Sequence, residues 1–229
     1  MQAVKLNTVV FMGSARTLTP PWGGDSRLGD RVLQYVLKTI AARTVEPVGA
    51  TPKQTVSHEV TVFDPLTVFG EGGALESCTA AVKEPHFFYK QGTAPPAMDA
   101  MRDTIKAADA IIVVTAEYNH SVPPGLLAMF DAFGGSNFSG KPSAIVTYSA
   151  GPWGGTRASI AVQPVLHELG CLPVSKMVAL PTPQEMLKED GEPIDASHRM
   201  LKQLPDMLKQ LEWMSIAMKS QRESCGLWA

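Results

Sequence analysis

Residues 108–125 read ADAIIVVTAEYNHSVPPG, and they give the strongest indication of the fold. Its apolar run, residues 110–114, is too continuous for a strand with one face in water, so it predicts a central strand covered by helices on both faces. A polar turn at residues 117–121 and a Pro-Pro-Gly breaker follow, before the apolar start of a helix at Leu126. This succession of strand, polar loop and helix is the place where open parallel sheets bind ligands.

Strand and helix signals alternate outward from this stretch, which predicts a doubly wound α/β fold. We expect three layers, in which five parallel strands in the order 2-1-3-4-5 have helices on both faces. The expected strands cover residues 8–12, 56–63, 110–114, 143–148 and about 174–180, and the expected helices cover about residues 29–42, 98–108, 126–134, 156–169 and 196–219.

A single domain is expected over residues 1–229, because the length suits one well-filled core and the composition does not shift along the chain. Residues 67–97 are the least regular part, since glycines and prolines interrupt them while aromatic residues argue against disorder. We interpret them as a long ordered excursion with one short helix. Residues 195–229 are interpreted as a carboxyl-terminal helix and tail.

Charge and cysteine content narrow the class of partner and compartment. The formal net charge is −2 and no dense basic run is present, so the sequence favours neither nucleic acid nor an anionic membrane as a partner. Cys78, Cys171 and Cys225 lack metal-ligand spacing and are odd in number, which favours a reducing compartment. No secretion signal or membrane-spanning run is expected. These features predict a soluble cytoplasmic protein with a small-molecule ligand.

The first loop, residues 13–17, reads GSART and follows the first expected strand directly. Gly13 lets the backbone approach a ligand closely, while Ser14, Arg16 and Thr17 supply hydroxyl groups and a fixed cation. The following helix would add the N–H groups of its first turn, so the combination suits a phosphate. The loop matches neither the P-loop nor the three-glycine dinucleotide fingerprint, and an ordinary strand-to-helix turn is the alternative.

The second loop, residues 117–121, and the third loop, residues 149–157, follow the third and fourth expected strands. In the third loop, Ser149 and glycines at positions 151, 154 and 155 leave backbone N–H and C=O groups uncovered, where they can bond the edge of a flat heteroaromatic ring. In a sheet ordered 2-1-3-4-5, the carboxyl ends of the three strands share one rim. The three loops are therefore expected to line a single pocket.

These loops carry the residues by which the chain resembles the NADPH-dependent FMN reductase family of the flavodoxin-like fold, which includes quinone, azo and chromate reductases. The resemblance rests on GSAR at residues 13–16, on EYNHSVPPGL at 117–126 with Asp131, and on SAGPWGGTRA at 149–158. It extends over roughly residues 4–178. Three such blocks in order, each after an expected strand, are more specific than any one of them.

The resemblance implies a residue-by-residue flavin site in the three loops. Three groups of residues would contact FMN: Ser14 and Arg16 at the phosphate, then Glu117, Tyr118 and Asn119 along the isoalloxazine ring, and Ser149, Gly151, Gly154 and Gly155 at its far edge. Asn119 and Gly154 are expected to orient the ring. Trp153, at a position where the family varies, is expected to shape the acceptor pocket.

Two departures from the family pattern leave part of this site open. The family usually has proline before the Glu-Tyr-Asn sequence, where this chain has Ala116, and its phosphate loop usually reaches the helix sooner. The extra residues 18–25 leave two candidates, Ser26 and Arg27, for the residue that completes the phosphate site.

The function implied by the resemblance is FMN-dependent oxidation of NADPH or NADH, with ping-pong hydride transfer of two electrons to a small acceptor such as a quinone, an azo compound or free flavin. Because the cofactor performs this chemistry, no catalytic side chain is expected. The resemblance also suggests a homodimer or homotetramer. Two other functions stay open: a flavodoxin-like electron carrier, which the near-neutral charge disfavours, and a non-catalytic flavin-binding or sensor protein.

Two further side-chain patterns allow other interpretations. Glu117 and His120 are three residues apart, but they lie in a loop without further ligands at useful spacing, so no metal site is expected. The resemblance instead suggests that Glu117 crosses a subunit contact. Arg157, at the start of a helix, suits an interface, a structural ion pair or a contact with the pyridine nucleotide.

Overall fold

The computed structural model describes residues 2–17, 27–49, 54–77 and 82–228. At its centre is a parallel sheet in the order β2-β1-β3-β4-β5, to which β6 adds a short strand paired with β4. The strands are β1 (Gln2–Met12), β2 (Gln54–Phe63), β3 (Ala110–Ala116), β4 (Pro142–Ser149), β5 (Leu172–Pro173) and β6 (Val178–Pro181). The predicted strand order is confirmed.

Helices follow the strands and pack on both faces of the sheet. The α-helices are α1 (Leu28–Ala41), α2 (Pro65–Val68), α3 (Pro96–Ala107), α4 (Pro124–Asp131), α5 (Thr156–Glu168), α6 (Pro183–Met186) and α7 (Gln203–Cys225). Short 3₁₀ helices lie at Ala42–Val45, His86–Phe88 and Gly135–Asn137. Within the described residues, no helix combines the length and apolarity needed to cross a lipid bilayer.

The side chains of β3 alternate between two hydrophobic clusters, one on each face of the sheet. Ile111 and Val113 pack with residues of α3, α4 and α5. Ile112 and Val114 pack on the other face, with residues of α1 and α7. All four side chains are fully buried, which explains why the apolar run is continuous rather than alternating. Helices on both faces produce the three layers that the sequence predicts.

The last predicted strand, residues 174–180, corresponds only to the short strand β6, and a separate short strand, β5, lies just before the predicted range. Strand β4 pairs with β5 at its start and with β6 towards its end. Between them, the backbone N–H of Lys176 donates to the side chain of Gln210 in α7 over 3.1 Å. At Lys176 the backbone therefore bonds a distant side chain, between the two stretches that pair with β4. The apolar pattern of the sequence gives no sign of this contact.

Two other boundaries differ from the prediction. Strand β1 begins at Gln2 rather than at residue 8, because residues 2–7 pair with β2 at the edge of the sheet, where a continuous apolar run is not needed. The last helix begins at Gln203 rather than at about residue 196. Pro205 therefore lies in its first turn, where the absence of its N–H costs no hydrogen bond within the helix.

Candidate functional site

A cavity of about 260 Å³ lies where the three loops meet. Because β1, β3 and β4 are adjacent and parallel, the loops that follow them lie side by side. The cavity wall contains six of the residues predicted for the site, namely Ser14, Arg16, Arg27, Glu117, Tyr118 and Ser149. It also contains residues that sequence reasoning missed, namely Leu28, Gly29, Ala116, Tyr148 and Ala150.

The first loop leaves β1 close to the end of β3. A Cβ atom on Gly13 would lie 2.2 Å from Oγ1 of Thr115, so only glycine fits there. The next residue, Ser14, is buried, and its hydroxyl oxygen lies 2.7 Å from the hydroxyl oxygen of Tyr118. The same oxygen accepts a hydrogen bond from the backbone N–H of Arg16 over 3.3 Å. The first and second loops are thus joined through one serine hydroxyl.

Arg16 provides a cation at the mouth of the cavity. Its guanidinium carbon lies 3.8 Å from the ring centre of Tyr118, in a cation–π contact. Within residues 2–17, 27–49, 54–77 and 82–228, no carboxylate forms a salt bridge with Arg16. Its positive charge is therefore available to an anionic ligand.

Arg27 is a buried cation that is already paired with two carboxylates. Its Nε donates to Asp30 over 2.8 Å, and its Nη1 and Nη2 donate to the two oxygens of Asp64. Burial by itself would lower the pKa of Arg27, but the hydrogen bonds to Asp64 and Asp30 outweigh this effect and raise it. Nη1 also donates to the backbone carbonyl of Ser14 over 2.8 Å. Arg27 therefore holds the first loop in place and has little free charge for a ligand.

At the start of α1, the cavity wall contains Gly29, where only glycine fits, and the buried side chain of Tyr148. A Cβ atom on Gly29 would lie 2.2 Å from the hydroxyl oxygen of Tyr148 and 2.1 Å from Cε of Met12. The Tyr148 hydroxyl is buried and forms no hydrogen bond of good geometry with a described residue. Burial raises the pKa of this side chain, and the nearby Ser14 hydroxyl lowers it by a smaller amount. Tyr148 is the last residue of the strand predicted over residues 143–148, directly before the third loop, and that position could have identified it as part of the cavity wall.

The second loop is a tight turn between Tyr118 and Ser121. The backbone N–H of each residue donates to the carbonyl of the other, over 2.9 and 3.0 Å. Asn119 and His120 both have positive φ, 50° and 62°, as two-residue turns of this kind require. Asparagine adopts this conformation more readily than histidine. Asn119 is exposed at the tip of the turn and is not among the residues of the cavity wall.

Glu117 links the second loop to the start of α5. One carboxylate oxygen accepts the backbone N–H of Arg157 over 3.0 Å, and the other accepts its Nη1 over 3.3 Å. A carboxylate at a helix amino terminus is favoured by the helix dipole. Of the interpretations open for Arg157, the structure contains the structural ion pair, which lies within one chain.

The glycines of the third loop pack against the sheet. A Cβ atom on Gly154 would lie 3.1 Å from the carbonyl carbon of Ala179, and one on Gly155 would lie 2.9 Å from the carbonyl oxygen of Tyr148. Both glycines are buried and have positive φ. From the sequence, these glycines were expected to leave backbone N–H and C=O groups open to a ligand. In the structure, glycine is required here because the backbone has positive φ and packs closely against the sheet.

The carbonyl groups at the start of the third loop are occupied. The backbone N–H of Thr182 donates to the carbonyls of Ser149 and Gly151, and the side chain of Gln184 donates to the carbonyl of Ala150 over 3.0 Å. This part of the loop therefore offers a ligand N–H groups rather than carbonyls. Trp153, further along, is 65% exposed. Ser26, the other candidate for the phosphate site, lies outside the described residues.

Comparison with known proteins finds relatives that match part of the chain. An NAD(P)H-dependent FMN reductase of Pseudomonas aeruginosa is 36% identical over 110 residues, which cover 47% of this chain and 56% of the relative. A quinone reductase of Pseudomonas putida is 42% identical over 78 residues, which cover 32% of this chain and 42% of the relative. The chain thus spans about half the length of the curated relatives that it matches.

A solved structure covers more of the chain at lower identity. The flavoenzyme NAD(P)H:(acceptor) oxidoreductase FerB of Paracoccus denitrificans has a TM-score of 0.62 and 21% identity, and the superposition covers 91% of this chain and 98% of FerB. This likeness supports the fold. The sequence model of the family described as NADPH-dependent FMN reductase matches residues 6–185. The chain therefore belongs to the NADPH-dependent FMN reductase family, as its three loop motifs predict.

Proposed function

We propose that this protein is an FMN-dependent oxidoreductase that takes two electrons from NADPH or NADH and passes them, in a ping-pong cycle, to a small acceptor such as a quinone, an azo compound or free flavin. The observation that carries the proposal is the cavity in which Arg16, a cation without a carboxylate partner among the described residues, lies beside Ser14, Tyr118 and the start of α1. Family membership over residues 6–185 supports the same conclusion.

The donors at this cavity fit the phosphate end of FMN. Arg16 would pair with the phosphate, the Ser14 hydroxyl would donate to it, and the first N–H groups of α1 have no partner within the helix. The buried hydroxyl of Tyr148 supports this fit, because a buried polar group that lacks a hydrogen bond of good geometry costs free energy unless a ligand satisfies it. We propose that Ser26 completes the site and that Arg27 contributes by holding the loop.

The flat ring of FMN would lie between the second and third loops. Glu117, Tyr118 and Asn119 are proposed to line one edge, and the residues proposed for the other edge are Ser149, Gly151, Trp153, Gly154 and Gly155. Bound FMN supplies the hydride and electron chemistry, so the protein has to bind and orient the ring and limit access of water. We propose that Asn119 and Gly154 set its orientation and that no side chain acts as an obligatory acid.

The assembly and the compartment are further parts of the proposal. Several large apolar side chains are exposed on the single chain, including Phe87, Phe88, Trp153 and Ile160. Exposed apolar residues of this size support a homodimer or homotetramer. Cys171 is buried, Cys225 is exposed, and neither forms a disulfide bond among the described residues, which supports a cytoplasmic location.

Visible absorption spectroscopy of the purified protein tests the proposed function. FMN is added first and then NADPH or NADH, both under anaerobic conditions. We expect flavin bands that bleach with the pyridine nucleotide and return when a quinone is added, without any partner protein. An electron carrier would need a protein partner for turnover, and a sensor would bind FMN without turnover. A protein that takes up no FMN would refute the proposal.

A further inference from the structure

Asp64 lies at the end of β2, beside the cavity, and its carboxylate has two separate partners. Oδ1 accepts the backbone N–H of Leu66 over 2.9 Å, so the side chain caps the amino terminus of α2. The same oxygen accepts Nη1 of Arg27 over 3.1 Å, and Oδ2 pairs with Nη2. Two parallel bonds between a guanidinium and a carboxylate fix the orientation of both groups.

This pair connects the end of β2 to the first loop. Nη1 of Arg27 lies between Asp64 and the backbone carbonyl of Ser14, which it reaches over 2.8 Å. In a planar trans peptide the C=O and N–H groups point in opposite directions. With its carbonyl turned towards Arg27, the Ser14–Ala15 peptide directs the N–H of Ala15 away from the two carboxylates. Asp64 thus acts on the loop through Arg27.

Packing around Asp64 holds it at this position. The neighbouring Pro65 lies close to α4, since a Cβ atom on Gly125 would be 3.3 Å from Cβ of Pro65. The same point is 3.9 Å from the carbonyl oxygen of Gly13 in the first loop. The side chain of Asp64 is 18% exposed. The start of α2 therefore forms a packed support beside the first loop.

The charges near Arg27 make this arrangement unexpected for an anion site. Asp64 and Asp30 together carry two negative charges against the one positive charge of Arg27. Coulomb repulsion alone would make Asp64 unfavourable to a nearby phosphate, so its removal would strengthen phosphate binding. If Asp64 instead sets the geometry of the first loop, its removal would weaken phosphate binding. The two explanations can therefore be separated by the direction of one measurement.

We propose that Asp64 is a positioning residue for the phosphate of FMN: through Arg27 it holds the Ser14 carbonyl, and so aims the donors of the first loop at the phosphate. This inference rests on the proposed function, because it assigns the phosphate to the first loop. It predicts that removing an acidic residue weakens the binding of an anionic cofactor.

The test compares FMN with riboflavin, which lacks the phosphate, in fluorescence titrations of wild-type apoprotein and Asp64→Asn. Asparagine has the same shape and retains an oxygen that can cap α2. Losing a charge-assisted hydrogen bond corresponds to about tenfold in affinity, so we expect the Kd for FMN to rise about tenfold. The Kd for riboflavin should change by less than about twofold, because its binding does not use the phosphate donors.

A matched control removes one negative charge from β2, the strand that leads to Asp64. Glu59→Gln in β2 breaks an exposed ion pair with Lys5, and both side chains of that pair are more than half exposed. The affinity for FMN should not change in this variant. A role of Asp64 in general stability would weaken FMN and riboflavin binding alike, whereas the proposed role weakens FMN binding selectively.

Arg27→Lys provides a second variant that keeps the charge but removes the two parallel bonds. It should show the same selective loss of FMN affinity, and it decides the question if Asp64→Asn does not fold. Unchanged or tighter FMN binding in folded Asp64→Asn, or unchanged binding in Arg27→Lys, would overturn the inference while the proposed function stands. Failure of the wild-type protein to bind FMN would instead refute the proposed function, and this inference with it.

Discussion

At the scale of single residues, the two arginines near the first loop have different environments. Arg16 is exposed, stacks on Tyr118 and has no carboxylate partner among the described residues. Arg27 is buried and paired with Asp30 and Asp64. A cation without a carboxylate partner can pair with an anionic ligand. A cation that is already paired with carboxylates mainly fixes the positions of the groups around it. The sequence offered both residues as phosphate ligands and did not distinguish these roles.

Replacement of Arg16 by glutamine should therefore weaken FMN binding through loss of charge. Because a hydrogen bond to a charged group contributes about 1.5–3 kcal/mol, we expect the Kd to rise at least about tenfold. The Kd of the variant should also depend less on salt concentration, because one screened ion pair is missing. Fluorescence titrations over a series of NaCl concentrations measure both effects.

Arg199→Gln is the matched control, since Arg199 is exposed and outside the cavity wall. Its affinity and salt dependence should equal those of the wild type. An Arg16→Gln variant that binds FMN with wild-type affinity would show that the phosphate lies elsewhere.

At the scale of secondary-structure elements, a buried ion pair joins α7 to the segment after α1. Glu212 in α7 is fully buried and accepts two hydrogen bonds from Arg43, each 2.8 Å long. His58 of β2 lies 3.4 Å from the same carboxylate. Burial would raise the pKa of Glu212, but the hydrogen bonds from Arg43 and His58 outweigh it and lower the pKa below its ordinary value.

Glu212→Gln should reduce the free energy of unfolding by about 3 kcal/mol, because it removes the buried partner of Arg43 and leaves this buried guanidinium paired only with the half-exposed Glu46. Because the pKa of Glu212 is lowered in the folded protein, the contribution of Glu212 to stability depends on pH. The stability from Glu212 is fully present above the ordinary glutamate pKa of 4.5 and is lost as the pH falls through the lowered value. Urea unfolding at several pH values should show a shallower acid decline in the variant than in the wild type.

Glu223→Gln, an exposed change in the same helix, serves as the control and should leave stability within about 0.5 kcal/mol of the wild type. If Glu212→Gln were as stable as this control, the buried pair would have no net role in holding α7.

The strands and their loops show which elements the sequence predicts well. The double-sided apolar run of β3 and the apolar run of β4 indicated central strands, and the structure confirms both. The last strand was predicted over residues 174–180, whereas only residues 178–181 form β6 and the backbone N–H of Lys176 instead bonds the side chain of Gln210, 34 positions away. Local patterns identify elements that are continuous in sequence, but not interruptions made by distant side chains.

At the scale of the whole molecule, α7 completes the core although it lies outside the residues that match the family. The match ends at residue 185, while Leu204, Met207, Leu208 and Leu211 of α7 are fully buried against the sheet. Asp109, at the start of β3, also pairs with Lys219 and Arg222 of this helix. The family segment thus relies on α7 to cover one face of its sheet.

A chain that ends at residue 201 should therefore lose cooperative folding. Burying each large apolar side chain contributes about 1.5–3 kcal/mol, so the four lost from α7 approach the 5–15 kcal/mol that stabilises a typical domain. Thermal unfolding followed by circular dichroism, together with size-exclusion chromatography, provides the measurement. A chain that ends at residue 225 keeps all of α7 and should unfold cooperatively; similar behaviour of both chains would contradict this role for α7.

The layered fold, the strand order and the three loops that surround the site could all be predicted from the amino-acid sequence. These features follow from local hydrophobic period and from the rule that parallel strands end at one rim. Which polar groups pair became visible only in three dimensions: Arg27 meets Asp64, and Glu117 meets Arg157. Such pairs depend on side chains that are 37 or 40 positions apart, and their meeting is set by register and packing rather than by any local pattern.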